Sequence, residues 1–193
     1  MERRRWLVRG WRCERELVDE AAMPTDGGPV QLNHYERNTM LLRTNPLRKV
    51  LSQRDLDDIA HAIRRAESRT AGEIRVSIHM HRHRRERGLS LQELALHEFH
   101  RLGMEKTRDR TGVLLYLLFA ERQFHIAADE GIHKRVEDGT WDRIAEEMSR
   151  NFHEGRFRDG IIHGVRSVGE VLSAHVPRRP DDTNELPDKV NVD

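Results

Sequence analysis

The stretch Thr111 to Ile132, TGVLLYLLFAERQFHIAADEGI, decides the fold. Val113 to Phe119 is an unbroken apolar run of strand length behind a Thr-Gly pair, the pattern of a strand buried on both faces. The polar AERQ that follows is a turn of hairpin length. Beyond it Phe124, Ile126 and Ala128 alternate with Gln123, His125 and Ala127, which reads as a strand returning antiparallel to the first.

Working outward, Glu73 to Met80 (EIRVSIHM) alternates strictly, with Ile74, Val76, Ile78 and Met80 on one face and Glu73, Arg75, Ser77 and His79 on the other. Between it and the hairpin a helix opens at Ser90, where Glu93 completes a capping box. Its apolar positions Leu91, Leu94, Ala95, Phe99 and Leu102 lead to Gly103 as a stop. Strand, helix and strand in this order predict a parallel pair joined by a right-handed crossover.

A helix from Ser52, with Asp55 as capping partner and Leu56, Ile59, Ala60, Ile63 and Ala66 on one face, precedes the first strand and is stopped by Thr-Ala-Gly. Two helices follow the hairpin. Trp141, Ile144, Ala145, Met148 and Phe152 form one stripe. Ile161, Ile162, Val165, Val168 and Leu172 form the other, with Gly160 and Gly164 allowing close packing. The order α, β, α, β, β, α, α predicts an α/β fold, a three-layer α/β/α sandwich around a small mixed β-sheet.

The chain has 193 residues, of which 36% are hydrophobic and 35% charged, with 34 basic against 33 acidic side chains. A net charge of +1 favours neither nucleic acid nor an acidic partner. The one cysteine, Cys13, excludes an intrachain disulfide and a thiolate metal cage, so a reducing cytoplasm is the expected setting. The basic N-terminus, MERRRWLVRGWRCERELVDE, lacks the apolar run of a signal peptide, and no segment reaches the roughly 20 apolar residues of a membrane span.

Residues 1–50 mix charge with PTDGG turn chemistry and read as a flexible tail or linker, with Met23 and Met40 as alternative candidate starts; the competing reading folds Trp6, Leu7 and Trp11 among arginines into a short basic amphipathic helix. Residues 51–177 form the domain. Residues 178–193, polar and proline-interrupted, read as a disordered tail.

Four blocks of the chain, TAGEIRVSI (Thr70 to Ile78), LGMEKTRDRTGVLLYLLFAERQFHIAADEGI (Leu102 to Ile132), WDRIAEEMSRNFHEGRFRDGI (Trp141 to Ile161) and HVP (His175 to Pro177), resemble in order and spacing the TPM domain family. That name joins a thylakoid-lumen phosphatase, a photosystem II repair protein and a modulator of acetylcholine receptors. The resemblance implies an α/β/α sandwich, in agreement with the element order. For function it implies acid phosphatase activity, calcium binding or a role in assembly and repair, with an unidentified protein partner. It also places the ADEGI block beside the family's calcium site.

If the first two strands run parallel, the hairpin brings the chain back to the edge where both begin. Glu73, Asp109, Arg110, Asp129 and the turn VEDGTWD then share one rim. Ca²⁺ takes about six to eight oxygens, at about 2.3–2.6 Å, from such converging loops. Asp129, Asp138 and Asp142 are the leading ligand candidates, with Glu73, Glu130 and Glu137 behind them. The competing reading makes Asp138 or Thr140 the cap of the helix near Trp141 and Asp142 a partner of its dipole.

Phosphatase chemistry through a Cys-x5-Arg loop is excluded, because no arginine stands at the required place after Cys13. Neither an Asp-x-Asp-x-Thr nor an Arg-His-Gly motif occurs. Hydrolysis would need a bound cation, with Arg110 as a bidentate phosphate clamp.

His79, His81 and His83 share a parity and imidazoles suit Zn²⁺ or Cu²⁺. The run offers no further ligand, however, and a neighbouring cation about 4 Å from a bound ion costs about 1 kcal/mol in water. The alternation therefore reads as strand parity running into a basic loop, remote from the acidic rim. Arg82 to Arg87 suit phosphate or nucleic acid. Between Trp11 and Phe99 the sequence has no aromatic stacking partner apart from Tyr35, which disfavours nucleic acid. His97 and His100 read as a helix flank and Trp141 and Phe152 as core anchors.

Overall fold

The structure, a computed structural model, describes residues 7–10, 46–178, 186 and 189–193. A five-stranded sheet runs in the order β1-β4-β3-β2-β5: β1 Leu7–Gly10, β2 Ile74–His79, β3 Val113–Leu118, β4 Gln123–Ala128 and β5 Asn191–Val192. The helices are α1 Gln53–Glu67, α2 Leu91–Arg101, the single turn α3 Glu130–His133, α4 Thr140–His153 and α5 Phe157–His175.

The strand pairing follows the expected plan. β2 and β3 are parallel, from Ile74 opposite Val113 to His79 opposite Leu118. β3 and β4 are antiparallel, from Val113 opposite Ala128 to Leu118 opposite Gln123. Glu73, Gly112 and Asp129 therefore stand in a row at one end of the sheet, tied by Val113 N–H to Glu73 O and Asp129 N–H to Gly112 O. His79 and Leu118 stand at the other.

Three layers result. α1, α4 and α5 cover one face, where Ile59, Ile63, Ile74, Val76, Ile78, Phe124, Phe152 and Val165 merge into one core. On the other face α2 packs Leu91, Leu94, Ala95 and Phe99 against Leu114, Tyr116, Leu118 and Ala127. The polar side of β2 is enclosed on this second face as well: Arg75, Ser77 and His79 are all buried. Capping boxes at Ser52 with Asp55 and at Ser90 with Glu93 start α1 and α2 as their sequences imply.

The blocks TAG and HVP meet in space. The Thr70 hydroxyl donates to Val176 O at 2.6 Å, Ala71 N–H donates to the same oxygen at 3.1 Å, and Thr70 forms a bridge with Pro177. This contact anchors the end of α5 to the entrance of β2.

Two short strands lie where the sequence reads as tails. β1 pairs with β4 and β5 with β2, so each closes an edge of the sheet. Their ladders supply an order that four and two residues cannot encode by periodicity. Leu7 thus lies in a strand rather than a helix. The rest of the proposed N-terminal amphipathic helix, the candidate starts Met23 and Met40, Cys13 and Tyr35 lie outside the described residues. No helix among the described residues is long and apolar enough to cross a membrane.

Glycines set the helix spacing on the crowded face. A Cβ at Gly164 would stand 2.5 Å from Met148 Sδ, and one at Gly169 would stand 2.6 Å from Ala66 Cβ. Gly169→Val is expected to cost about 1–3 kcal/mol by overpacking the α1–α5 contact. Gly88→Ala, which meets nothing within 4 Å, is expected to change stability by less than about 0.5 kcal/mol. Urea unfolding of the two variants checks this, and equal losses would contradict the packing argument.

Candidate functional site

At the rim where β2 and β3 begin, the backbone of Arg110 adopts a left-handed conformation, φ 54°. Its guanidinium reaches Asp129 with Nη2 to Oδ1 at 3.0 Å and Nε to Oδ2 at 3.4 Å, and Glu130 with Nη1 to Oε1 at 2.8 Å. Asp129 is 2% exposed and caps α3 by accepting from Glu130 N–H at 2.7 Å. Its hydrogen bonds and charge raise the Arg110 pKa above the ordinary value.

Gly131 completes this corner. A Cβ there would lie 2.2 Å from the Asp109 carbonyl oxygen and 2.5 Å from that of Arg110. Backbone oxygens of the 109–110 loop thus press against the α3 turn beside two carboxylates. A shallow depression of about 330 Å³ opens here, lined by Arg108, Asp109, Arg110, Glu130, Gly131, Lys134 and Arg135.

The other candidate ligands are more dispersed. Glu73 is buried at the mouth of β2, two strands from Asp129, about 10 Å at the usual strand spacing. Asp138 is exposed, and Asp142 lies half-buried in the first turn of α4. That helix is capped by Gly139, φ 83°, with no side-chain cap, so neither Asp138 nor Thr140 fills the capping role the sequence suggested. No three of Glu73, Asp129, Asp138 and Asp142 bring their oxygens within 4.8 Å of one another.

The opposite end of the sheet holds a grouping the sequence did not disclose. Ser77 Oγ donates to Glu98 Oε1 at 2.5 Å and lies 3.1 Å from His79 Nε2. Arg101 closes on Glu98 with Nε to Oε2 at 2.6 Å and Nη2 to Oε1 at 2.7 Å. Burial pushes the Glu98 carboxyl up, but the hydrogen bonds from Arg101 and Ser77, with the His79 ring 3.7 Å away, outweigh it and hold its pKa at about 2. The signal for Glu98 was present: it is a carboxylate on the apolar stripe of α2, between Ala95 and Phe99.

Arg82 is bound in a fork to Glu121 and donates to Leu89 O at 2.6 Å, whereas Arg84, Arg85 and Arg87 are exposed. His97 and His100 are exposed on α2, as a helix flank requires, and Trp141 and Phe152 are core residues.

Comparison with known proteins matches most of the domain to one family. Residues 45–171 fit the model of the TPM domain, whose label is TPM phosphatase. This chain belongs to the TPM domain family. The TPM fold is also found in the solution structure of the BA42 protein from the psychrophilic bacterium Bizionia argentinensis. That protein is 31% identical, with a TM-score of 0.67 over 74% of this chain and 95% of its own. No curated protein matches.

The Glu98 cluster gives this TPM domain an acid-sensitive component. A folded-state pKa of about 2 against an ordinary 4.5 means the stabilisation is present at neutral pH and is lost as pH falls through that window. At about 1.4 kcal/mol per unit this is about 3 kcal/mol. Glu98→Gln is expected to be less stable than wild type at pH 7, with the gap narrowing between pH 5 and pH 2 in urea titrations. A gap independent of pH would contradict the assignment.

Proposed function

We propose that this TPM domain is a divalent-cation-binding module that takes Ca²⁺ at the corner formed by Asp129, Glu130 and the 109–110 loop. Its role would then be in protein interaction or stress maintenance rather than catalysis. The observation that carries this reading is the Arg110 guanidinium bridging Asp129 and Glu130. A positive charge is held where two carboxylates and the Asp109 and Arg110 carbonyls converge, which is the oxygen-rich environment Ca²⁺ takes.

Asp129 and Glu130 are the first ligands on this reading. Asp138 and Asp142 lie in the turn before α4 and in its first turn and would enter by movement of the 134–139 loop or through water, whereas Glu73, at the mouth of β2, would enter only through water. With so few carboxylates, the affinity expected is that of weak modules, about 10⁻⁴ to 10⁻³ M. A cytoplasmic setting belongs to the same proposal, supported by the single cysteine.

A second reading is metal-assisted phosphate ester hydrolysis at the same corner. The basic side chains Arg108, Arg110, Lys134 and Arg135 in the depression beside the carboxylates favour it, since they would hold an anion next to the ion.

Calorimetric titration with Ca²⁺ tests the first reading. Wild type is expected to bind one ion, Asp129→Asn with Glu130→Ala to bind none, and Arg110→Ala to bind at least threefold tighter, because a competing cation has been removed. Absence of binding by wild type overturns the proposal. For hydrolysis, phosphate release must require the cation and be lost in Arg110→Ala. Activity that survives both conditions excludes this corner as its source.

A further inference from the structure

His79, His83 and Asp193 are the one group of three or more histidine, cysteine or carboxylate side chains among the described residues whose ligand atoms all lie within 4.8 Å of one another. They stand at the end of β2 opposite the acidic corner. His83 Nε2 is 3.1 Å from Asp193 Oδ2, and His79 Nδ1 is 3.9 Å from the same oxygen.

Hydrogen-bond accounting fixes how His79 presents itself. The Ser77 hydroxyl has a single proton and gives it to Glu98 Oε1 at 2.5 Å. Toward His79 Nε2, at 3.1 Å, that hydroxyl can only accept, so Nε2 carries the hydrogen. In the neutral ring Nδ1 is then a bare lone pair facing a carboxylate oxygen 3.9 Å away. Two acceptors face each other across a gap that is too long for a hydrogen bond and has the width two metal–ligand bonds span.

The surroundings suit an ion. The His79 side chain is 8% exposed and held from behind by Ser77 and Glu98, the outer-shell arrangement in which a carboxylate fixes the tautomer of a metal-ligating histidine. Asp193 is held by its backbone, donating N–H to Ile78 O at 3.0 Å and accepting from Met80 N–H at 3.2 Å. His83 N–H donates to Glu86 Oε2 at 3.0 Å. The repulsion expected from the arginines is reduced at Arg82, which is paired with Glu121, and at Arg101, whose charge interacts with Asp193 but whose guanidinium is held by Glu98.

We propose that His79 Nδ1, His83 Nε2 and Asp193 Oδ2 form a binding site for a divalent transition-metal ion of the zinc type, with its remaining position open to solvent. Bonds of about 2.0–2.1 Å in a tetrahedral array place ligand atoms about 3.4 Å apart, so the observed 3.1 and 3.9 Å need only small adjustment. Two imidazoles and one carboxylate select a borderline transition metal over Ca²⁺, which prefers oxygen alone. The His83 and Asp193 side chains, 59% and 58% exposed, give the ion a route in. His81, exposed and outside the group, takes no part.

Titration of the full chain with zinc chloride tests this, followed by long-range proton–nitrogen NMR of the histidine rings and by calorimetry. One equivalent is expected to shift His79 Nδ1 and His83 Nε2 first among the ring nitrogens. His83→Ala and Asp193→Asn are each expected to weaken binding at least tenfold, while His81→Ala changes it less than threefold. Ca²⁺ at millimolar concentration is expected to leave both nitrogens unmoved. The proposal is overturned if Zn²⁺ fails to bind, if it shifts other histidines first, or if both ligand variants bind as tightly as wild type. Because the variants sit on exposed side chains, loss of the fold does not confuse the result.

Discussion

The parallel pairing of β2 with β3, in register from Ile74 with Val113 to His79 with Leu118, is the constraint on which the rest of the domain depends. Both strands are buried along their whole length, so a slip of one residue would turn the apolar face of β2 toward the wrong layer. The pairing also sorts the chemistry. Everything that enters the strands, Glu73, Arg110 and through the hairpin Asp129, collects at one end. Everything that leaves them, His79 and the loop to His83, collects at the other.

The two ends differ in character for that reason. At the entering end the 109–110 loop and α3 bring backbone oxygens and carboxylates together around a guanidinium, and Arg110 balances the buried Asp129. At the leaving end the polar side of β2 faces α2, and Glu98 of that helix meets Ser77 and His79. Its buried charge is tolerable because Arg101 pairs with it through two hydrogen bonds and the Ser77 hydroxyl donates a third.

Much of this was legible in the sequence. The unbroken apolar run of β3, the period-two pattern of β2 and the capping boxes at Ser52 and Ser90 define the element order and the sandwich, and the same topology places Glu73, Arg110 and Asp129 on one rim. What was not legible depends on contacts across long separations. His79 and His83 lacked a third ligand because Asp193, 110 residues beyond His83, is brought to them by the two-residue strand just before it, whose order comes from pairing alone. Asp138 looked like a helix cap, yet a left-handed glycine took that place. The physical lesson is local: periodicity reports burial, whereas a ligand set is a property of the closed sheet.

The account's central claim is that the two ends of the sheet carry separate cation chemistry. Amide NMR of one labelled sample titrated with Ca²⁺ and then with Zn²⁺ tests it most directly. The account predicts that Ca²⁺ moves the amides of Asp109, Arg110, Asp129, Glu130 and Gly131, and that Zn²⁺ moves those of His79 to His83 and Asp193, with little overlap. Both ions moving the same set, or neither moving either, would contradict it.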